Sequence, residues 1–290
     1  MSKLVTDQAD GLRRLLARTP TRVIAVAGMG RGVGATTTAM NLAAALVHQG
    51  KQVLLLDEHD ATPASACALW SIAPSGTLAD VAGRRLACEE AVALSDCGVG
   101  VLPARPDAQP AGLDPRTLWQ GSLILIDAAL DGEGCLSMLA RQADDLVLVF
   151  RPQPASITAA YAGIKRLHYA HALKQLRLLV NGVGAGDEAA QVMTNLVDTS
   201  RRYLAVSLQP AGGVRADRHL QDAQRLHQTV VEAFPASPAA VDFRGIAAGI
   251  GQWPWRAAAL RPPPAGRTDR GPGAMPPPAR DAQASNTAAV

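Results

Sequence analysis

From Ala27 the chain reads Ala27-Gly28-Met29-Gly30-Arg31-Gly32-Val33-Gly34-Ala35-Thr36-Thr37-Thr38, with a glycine at every second position from Gly28 to Gly34. Glycines at this density let backbone N–H groups close on an anion, and a helix starting behind them adds its dipole. The chemistry indicated is the holding of a phosphate. Two patterns fit. The P-loop, G-x-x-x-x-G-K-[ST], is met by Gly34 and Thr36, but Ala35 stands at its lysine and Met29 at its first glycine. The dinucleotide fingerprint, G-x-G-x-x-G/A, is met by Gly30, Gly32 and Ala35, and Asp57 supplies the acidic residue it asks for at the end of the second strand. Further on, the apolar run Ser122–Ile126 closes on Asp127. A P-loop protein needs a carboxylate there to hold Mg²⁺ through water, and a dinucleotide fold does not.

The elements that must position these residues are legible as short apolar runs. Val23–Ala27, Val53–Leu56, Val99–Leu102, Leu123–Ile126, Leu146–Phe150, Leu176–Val180 and Leu204–Leu208 are continuous and rich in β-branched residues, which predicts strands buried on both faces. Helix-length segments such as Ala35–His48 and Ser156–Ala172 separate them. Strands alternating with helices imply right-handed βαβ units. The expected fold is therefore α/β, a P-loop NTPase-like, mostly parallel sheet flanked by helices, with ligands at the carboxyl ends of its strands. Composition divides the chain into three: residues 1–20, a short helical pattern (Leu4 to Arg18) ended by Thr19-Pro20; residues 21–252, the αβ region; and residues 253–290. The last stretch, with Pro262–Pro264 and Pro276–Pro278, has too little apolar surface to offset its ordering entropy and is predicted to be disordered.

Bulk properties exclude some classes. Of 290 residues 48% are hydrophobic but only 3% aromatic, so small aliphatic side chains must build the core. A net charge of +3 without a basic stripe gives no nucleic-acid footprint. Four dispersed cysteines without a Cys-x-x-Cys pair read as free thiols in a reducing cytosol. No apolar run reaches spanning length and no signal core opens the chain, which predicts a cytoplasmic protein, at most peripheral on a membrane. His168 and His171 lie three apart on a predicted helix but lack a third metal ligand.

Several stretches resemble the MinD/ParA family of deviant-Walker ATPases, and within it the FlhG group of flagellar regulators. They are Gly32–Thr36 continuing to Asn41-Leu42-Ala43, with Lys51–Asp57; Pro152–Tyr161 continuing to Ile164-Lys165; Leu178-Leu179-Val180-Asn181; and Phe234–Ala239, with Phe243 following. A further one, Asp7-Gln8-Ala9-Asp10-Gly11-Leu12-Arg13, matches the DQAxxLR motif of that group in full. The resemblance implies ATP or ADP with Mg²⁺, held by Gly30, Arg31, Gly32, Val33, Gly34, Ala35, Thr36 and Thr37. It puts Asn181 on the adenine, Thr36 and Asp127 on the metal, and makes Asp57 a switch carboxylate. It also implies that the N-terminal helix docks on an FlhF-type GTPase through Asp7, Gln8, Ala9, Leu12 and Arg13 and stimulates GTP hydrolysis. Flagellar assembly or regulatory proteins are the wider set of partners. The residues suit this: Asp7 can cap a helix, and Val5, Ala9, Leu12, Leu15 and Leu16 approximate one apolar face. A homodimer and a peripheral contact at the inner membrane or cell pole stay open. For the membrane the relevant feature is a stripe of Phe243, Ile246, Ala247, Ile250 and Trp253, with Trp255 close by, for which core packing is the competing reading.

Departures from the family loop, K-G-G-V-G-K-T, bear on activity. Its signature lysine is Gly30 here, the neighbouring glycine is Arg31, and its P-loop lysine is Ala35. The water-positioning aspartate falls on His59; the switch after Asp127 reads Ala128-Ala129-Leu130-Asp131-Gly132; the adenine-proximal aspartate, placed after a strand-ending Pro210, falls on Gly212. The expectation is a nucleotide-binding fold with weak or lost ATPase activity. The alternatives are an active ATPase in which Arg31 replaces the lysine, and an NAD-binding oxidoreductase, which leaves the N-terminal motif unexplained.

Overall fold

The structure is a computed structural model and describes residues 21–59, 62–119, 121–184 and 188–254. The DQAxxLR residues Asp7, Gln8, Ala9, Leu12 and Arg13, and the tail beyond 254, lie outside the described residues. Eight strands, β1 (Arg22–Gly28), β2 (Val53–Asp57), β3 (Ala93–Leu94), β4 (Gly100–Pro103), β5 (Leu123–Ala128), β6 (Asp145–Phe150), β7 (Gln175–Val183) and β8 (Ser207–Arg215), form one sheet in the order β3-β4-β2-β5-β1-β6-β7-β8. All pairings are parallel except β3 with β4. The helices are α1 (Ala35–His48), α2 (Ala66–Trp70), α3 (Leu78–Ala82), α4 (Cys88–Ala91), α5 (Pro154–His171), α6 (Glu188–Leu204), α7 (His219–Arg225), α8 (Val230–Ala233) and α9 (Pro238–Ile250).

The continuous apolar runs are explained by burial on both sides. Alternate β1 residues enter different cores: Val23, Ala25 and Ala27 join Ile164, Leu167, Met193 and Leu196 of α5 and α6, while Ile24 and Val26 join Leu42, Ala45, Phe243 and Ile246 of α1 and α9. Each fully buried Leu or Ile contributes about 1.5–3 kcal/mol. α1 has the bounds read from the sequence; α5 starts two residues earlier than expected, with Pro154 in its first turn, where a missing N–H costs nothing.

The last strand differs from expectation. Leu204 ends α6, and β8 runs Ser207–Arg215 through Pro210, Gly212 and Gly213. As an edge strand paired only with β7, it tolerates a proline, because only one side of its backbone is in the ladder.

The stripe on α9 faces inward. Phe243, Ile246, Ala247 and Ile250 are buried, and Trp253 is 9% exposed. The Arg177 guanidinium sits 3.9 Å from the Trp253 ring centroid. Arg22 donates to the carbonyls of Ile250 (3.3 Å), Trp253 (2.9 Å) and Pro254 (3.1 Å), and both arginines pair with Asp145. The apolar face that suggested a membrane contact is therefore core packing. Among the described residues no helix is long and apolar enough to cross a membrane.

Candidate nucleotide site

β1 delivers the chain into the glycine loop at the carboxyl end of the sheet. Met29 N donates to Val149 O (2.8 Å), and the side chains of Met29 and Val33 are buried, which leaves Gly30, Arg31 and Gly32 exposed at the tip. Gly34 caps α1 with φ 87°, and Thr38 N donates to its carbonyl at 2.9 Å. The N–H groups of the first turn, Ala35–Thr37, are those that a helix leaves open at its start. Asn181, buried at the end of β7, donates from Nδ2 to Val33 O at 2.8 Å. A Cβ at position 34 would run into that amide, so two independent constraints require glycine there. Asn181, expected on the adenine, has its amide nitrogen engaged as a strut under the loop.

Neither family lysine has a counterpart inside the loop. Ala35 packs its methyl against the α1-side core, and Gly30 carries no side chain. Arg31 is exposed and makes no ion pair with a described residue.

Asp57 and Asp127 lie side by side, since β2 and β5 pair in that register, and both are fully buried. Asp57 accepts from His59 N (2.9 Å) and Cys67 N (3.3 Å); burial raises its pKa, and these amides pull it partly back. It therefore holds the loop after β2. Asp127 is different: neither carboxylate oxygen has a hydrogen-bond partner among the described residues. Burial first, then the charge of Asp57, push its pKa well up; the Thr36 hydroxyl opposes this, and Glu58 adds to it. His59 Nε2, at the position of the family's water-positioning aspartate, stands 3.9 Å from Asp127 Oδ1. An unpartnered buried carboxylate beside a hydroxyl is a hard, all-oxygen donor set, and it fits Mg²⁺. Thr36 and Asp127 would hold the ion.

Two carboxylates were not singled out by the sequence. Glu58 is buried, with burial raising its pKa against the hydrogen bonds of Ser137, Gln109 and Ala129. The other is Asp217: the strand expected to end at Pro210 continues, so that Pro210 lies inside β8 and Gly212 sits mid-strand against α9, where an added Cβ would come within 2.7 Å of Ile246 Cγ1. The first carboxylate past the strand is Asp217, which accepts from His219 N (3.0 Å) and Ala239 N (3.1 Å). The signal was a glycine-containing strand continuing past its proline. His168 and His171 are structural: His168 Nδ1 meets Leu173 O at 2.8 Å, and His171 Nε2 accepts from Leu136 N at 3.1 Å. No metal-binding cluster of His, Cys, Asp or Glu occurs among the described residues.

The strand order decides between the two loop patterns. A dinucleotide fold sets β2 beside β1. Here β5 lies between them, carrying Asp127 next to Val26, so the carboxylate beside the loop is the Walker-type one. Sheet, loop and carboxylate together define a P-loop NTPase-like fold with a deviant loop. A family model described as an AAA domain matches residues 21–92. The antiactivator FleN of Pseudomonas aeruginosa is 33% identical over 247 residues, covering 81% of this chain and 88% of that protein. The MinD cell division protein of Aquifex aeolicus superposes with a TM-score of 0.64 at 20% identity, covering 81% of this chain and 98% of that one. MinD of Pyrococcus horikoshii, solved with Mg-ADP, gives 0.58 at 18% identity over 79% and 96%. The chain belongs to the MinD/ParA family of P-loop ATPases, in its FleN (FlhG) branch.

Proposed function

We propose that this protein is an FlhG-type regulator of flagellar number and placement. It acts from the cytoplasm through its DQAxxLR segment on an FlhF-type GTPase, and on other flagellar assembly or regulatory proteins. Its nucleotide fold hydrolyses ATP weakly or not at all. One observation carries the second part: the loop offers phosphate its backbone amides and the Thr36 hydroxyl, but Ala35 and Gly30 bring no cation. Phosphoryl transfer is catalysed by positioning and charge neutralisation, and each missing donor costs roughly 10²–10³ in rate. The lone Asp127 carboxylate and the likeness to a MinD solved with Mg-ADP support binding of ATP or ADP with Mg²⁺. The similarity to an antiactivator supports the regulatory role.

Calorimetric titration with ATP–Mg²⁺ and ADP–Mg²⁺, run beside a turnover assay, tests the nucleotide half; binding without turnover is expected. GTP hydrolysis by the FlhF-type GTPase, measured with full-length protein and with Gln8→Ala, tests the partner half; stimulation lost in the variant is expected. ATP turnover as fast as that of a lysine-bearing family member would refute the first half, and no stimulation by the full-length protein the second. Arg31, exposed and without an ion pair among the described residues, favours a second reading, in which it serves the phosphates. Turnover abolished by Arg31→Ala would establish that one.

A further inference from the structure

Glu58 follows Asp57 at the end of β2, and its side chain is 3% exposed. Its carboxylate is approached from three separate stretches of chain. Ser137 Oγ (2.5 Å) and Gln109 Nε2 (2.8 Å) donate to Oε1, and Ala129 N donates to Oε2 at 3.0 Å. The connections continue outward. Ser137 Oγ accepts from Ala140 N (2.9 Å), Gln109 Oε1 accepts from Leu139 N (3.1 Å), and Gln109 Nε2 also donates to Ala104 O (3.0 Å). On the backbone, Glu58 N donates to Asp127 O at 3.2 Å. The stretch 128–140, which begins at the last residue of β5, is thus tied near both ends to one side chain.

Little else fixes that stretch. Its middle is a turn closed on itself, with Leu130 bridging Leu136, Asp131 N donating to Cys135 O (3.0 Å), and Asp131 Oδ1 accepting from Glu133 N (2.9 Å) and Cys135 N (2.8 Å); Asp131, Gly132 and Glu133 are exposed, and that turn meets the rest of the fold where Leu136 N reaches His171 and Leu136 and Leu139 dip into the core. In P-loop proteins a segment in this position orders or releases according to the phosphates present. A ligand moves such a segment only by as much as it prefers one arrangement over the other. Hydrogen bonds are stronger in a low-dielectric interior than in water, and here three converge on one buried carboxyl group. On the phosphate side the loop has no lysine to pull in the other direction.

We infer that Glu58 is a positioning residue: it latches the stretch 128–140 in one arrangement whatever nucleotide is bound. This rests on the reading of the loop as a nucleotide site and says what occupancy does there. The fold would then present the same surface beside Asp127 with and without nucleotide.

Hydrogen–deuterium exchange on full-length protein tests this, with wild type, Glu58→Ala and Glu58→Gln each measured with and without ATP–Mg²⁺. In wild type, residues 29–37 gain protection with ATP–Mg²⁺ while 128–140 stay within about twofold. In Glu58→Ala, 128–140 exchange at least tenfold faster, the strands β1 and β6 keep their protection, and 128–140 now respond to ATP–Mg²⁺. Glu58→Gln keeps an acceptor for Ser137 and Gln109 but turns an amide toward Ala129 N, so it loosens the Ala129 end selectively and serves if the alanine variant does not fold. A wild-type response of 128–140 beyond tenfold, or unchanged exchange there in both variants, overturns the latch. Absent protection at 29–37 would instead overturn nucleotide binding, and the nucleotide-free comparison of wild type with the variants would still decide the latch.

Discussion

Replacing Trp253 by alanine should unfold this protein at markedly lower temperature. The indole is 9% exposed, beyond the end of α9, with the Arg177 guanidinium 3.9 Å from its centroid and Arg22 at 5.9 Å. Both guanidinium groups are nearly dehydrated, with side-chain exposures of 7% and 8%, and both pair with the single carboxylate of Asp145. Truncating a buried tryptophan costs about 3–5 kcal/mol, and a desolvated cation–π contact accounts for about 2 of these. For a fold of this size each kcal/mol moves Tm by about 2–4 °C, so the expected drop is roughly 6–20 °C. Urea unfolding of wild type, Trp253→Ala and Trp253→Phe gives the free energies; the phenylalanine variant keeps a ring face for Arg177 and should lose less than half as much. Co-sedimentation with anionic vesicles should be the same for wild type and Trp253→Ala. A loss below about 1 kcal/mol, together with vesicle binding that vanishes in the alanine variant, would refute the reasoning and place the ring in a membrane.

Two further outcomes follow from the site. Asp127→Asn removes a buried ionisable group whose oxygens lack a hydrogen-bond partner among the described residues, so the nucleotide-free protein should gain about 1–3 kcal/mol at neutral pH while losing any stabilisation by Mg²⁺, both readable by calorimetry. Because the folded-state pKa of Asp127 is raised, the native protein holds a proton that the unfolded chain has released. Wild-type stability therefore falls as pH rises from the unfolded carboxylate pKa toward the raised folded one, and the Asn variant should show a shallower fall over that window; parallel slopes would contradict it. Gly34→Ala forces an L side chain to φ 87° and against Asn181, so it should cost at least about 1–2 kcal/mol in denaturant unfolding; a neutral result would mean that the loop rearranges freely.

The central sheet was legible because parallel strands covered on both faces leave uninterrupted apolar runs, and α1 because glycine punctuates its start. β8 was partly lost because Pro210 and two glycines imitate a turn; only its place at the sheet edge makes them acceptable. The strand therefore ends seven residues later than expected, at Arg215 instead of Leu208, and Asp217 is the first carboxylate past it. Asn181 was found by likeness, but its partner, Val33 O, lies 148 residues away, and no local pattern announces such a bond. Glu58 is the extreme case. Its donors are 51, 71 and 79 residues along the chain, and in the sequence it is only the residue after an aspartate. The stripe from Phe243 to Trp253 had a correct period and an undecided destination, because hydrophobic spacing states that a face is covered and not by what.

The Arg22 clamp has a consequence for wiring. Arg22 opens β1, one residue after Thr21, and its guanidinium holds the carbonyl of Pro254. Two ends of the described fold, Arg22 and Pro254, are therefore neighbouring anchor points. β1 is 7 residues long, which at about 3.3 Å per residue sets those anchors roughly 20 Å from the glycine loop, at the opposite end of the sheet. A substitution in the glycine loop is separated from the Arg22 clamp by the whole length of β1.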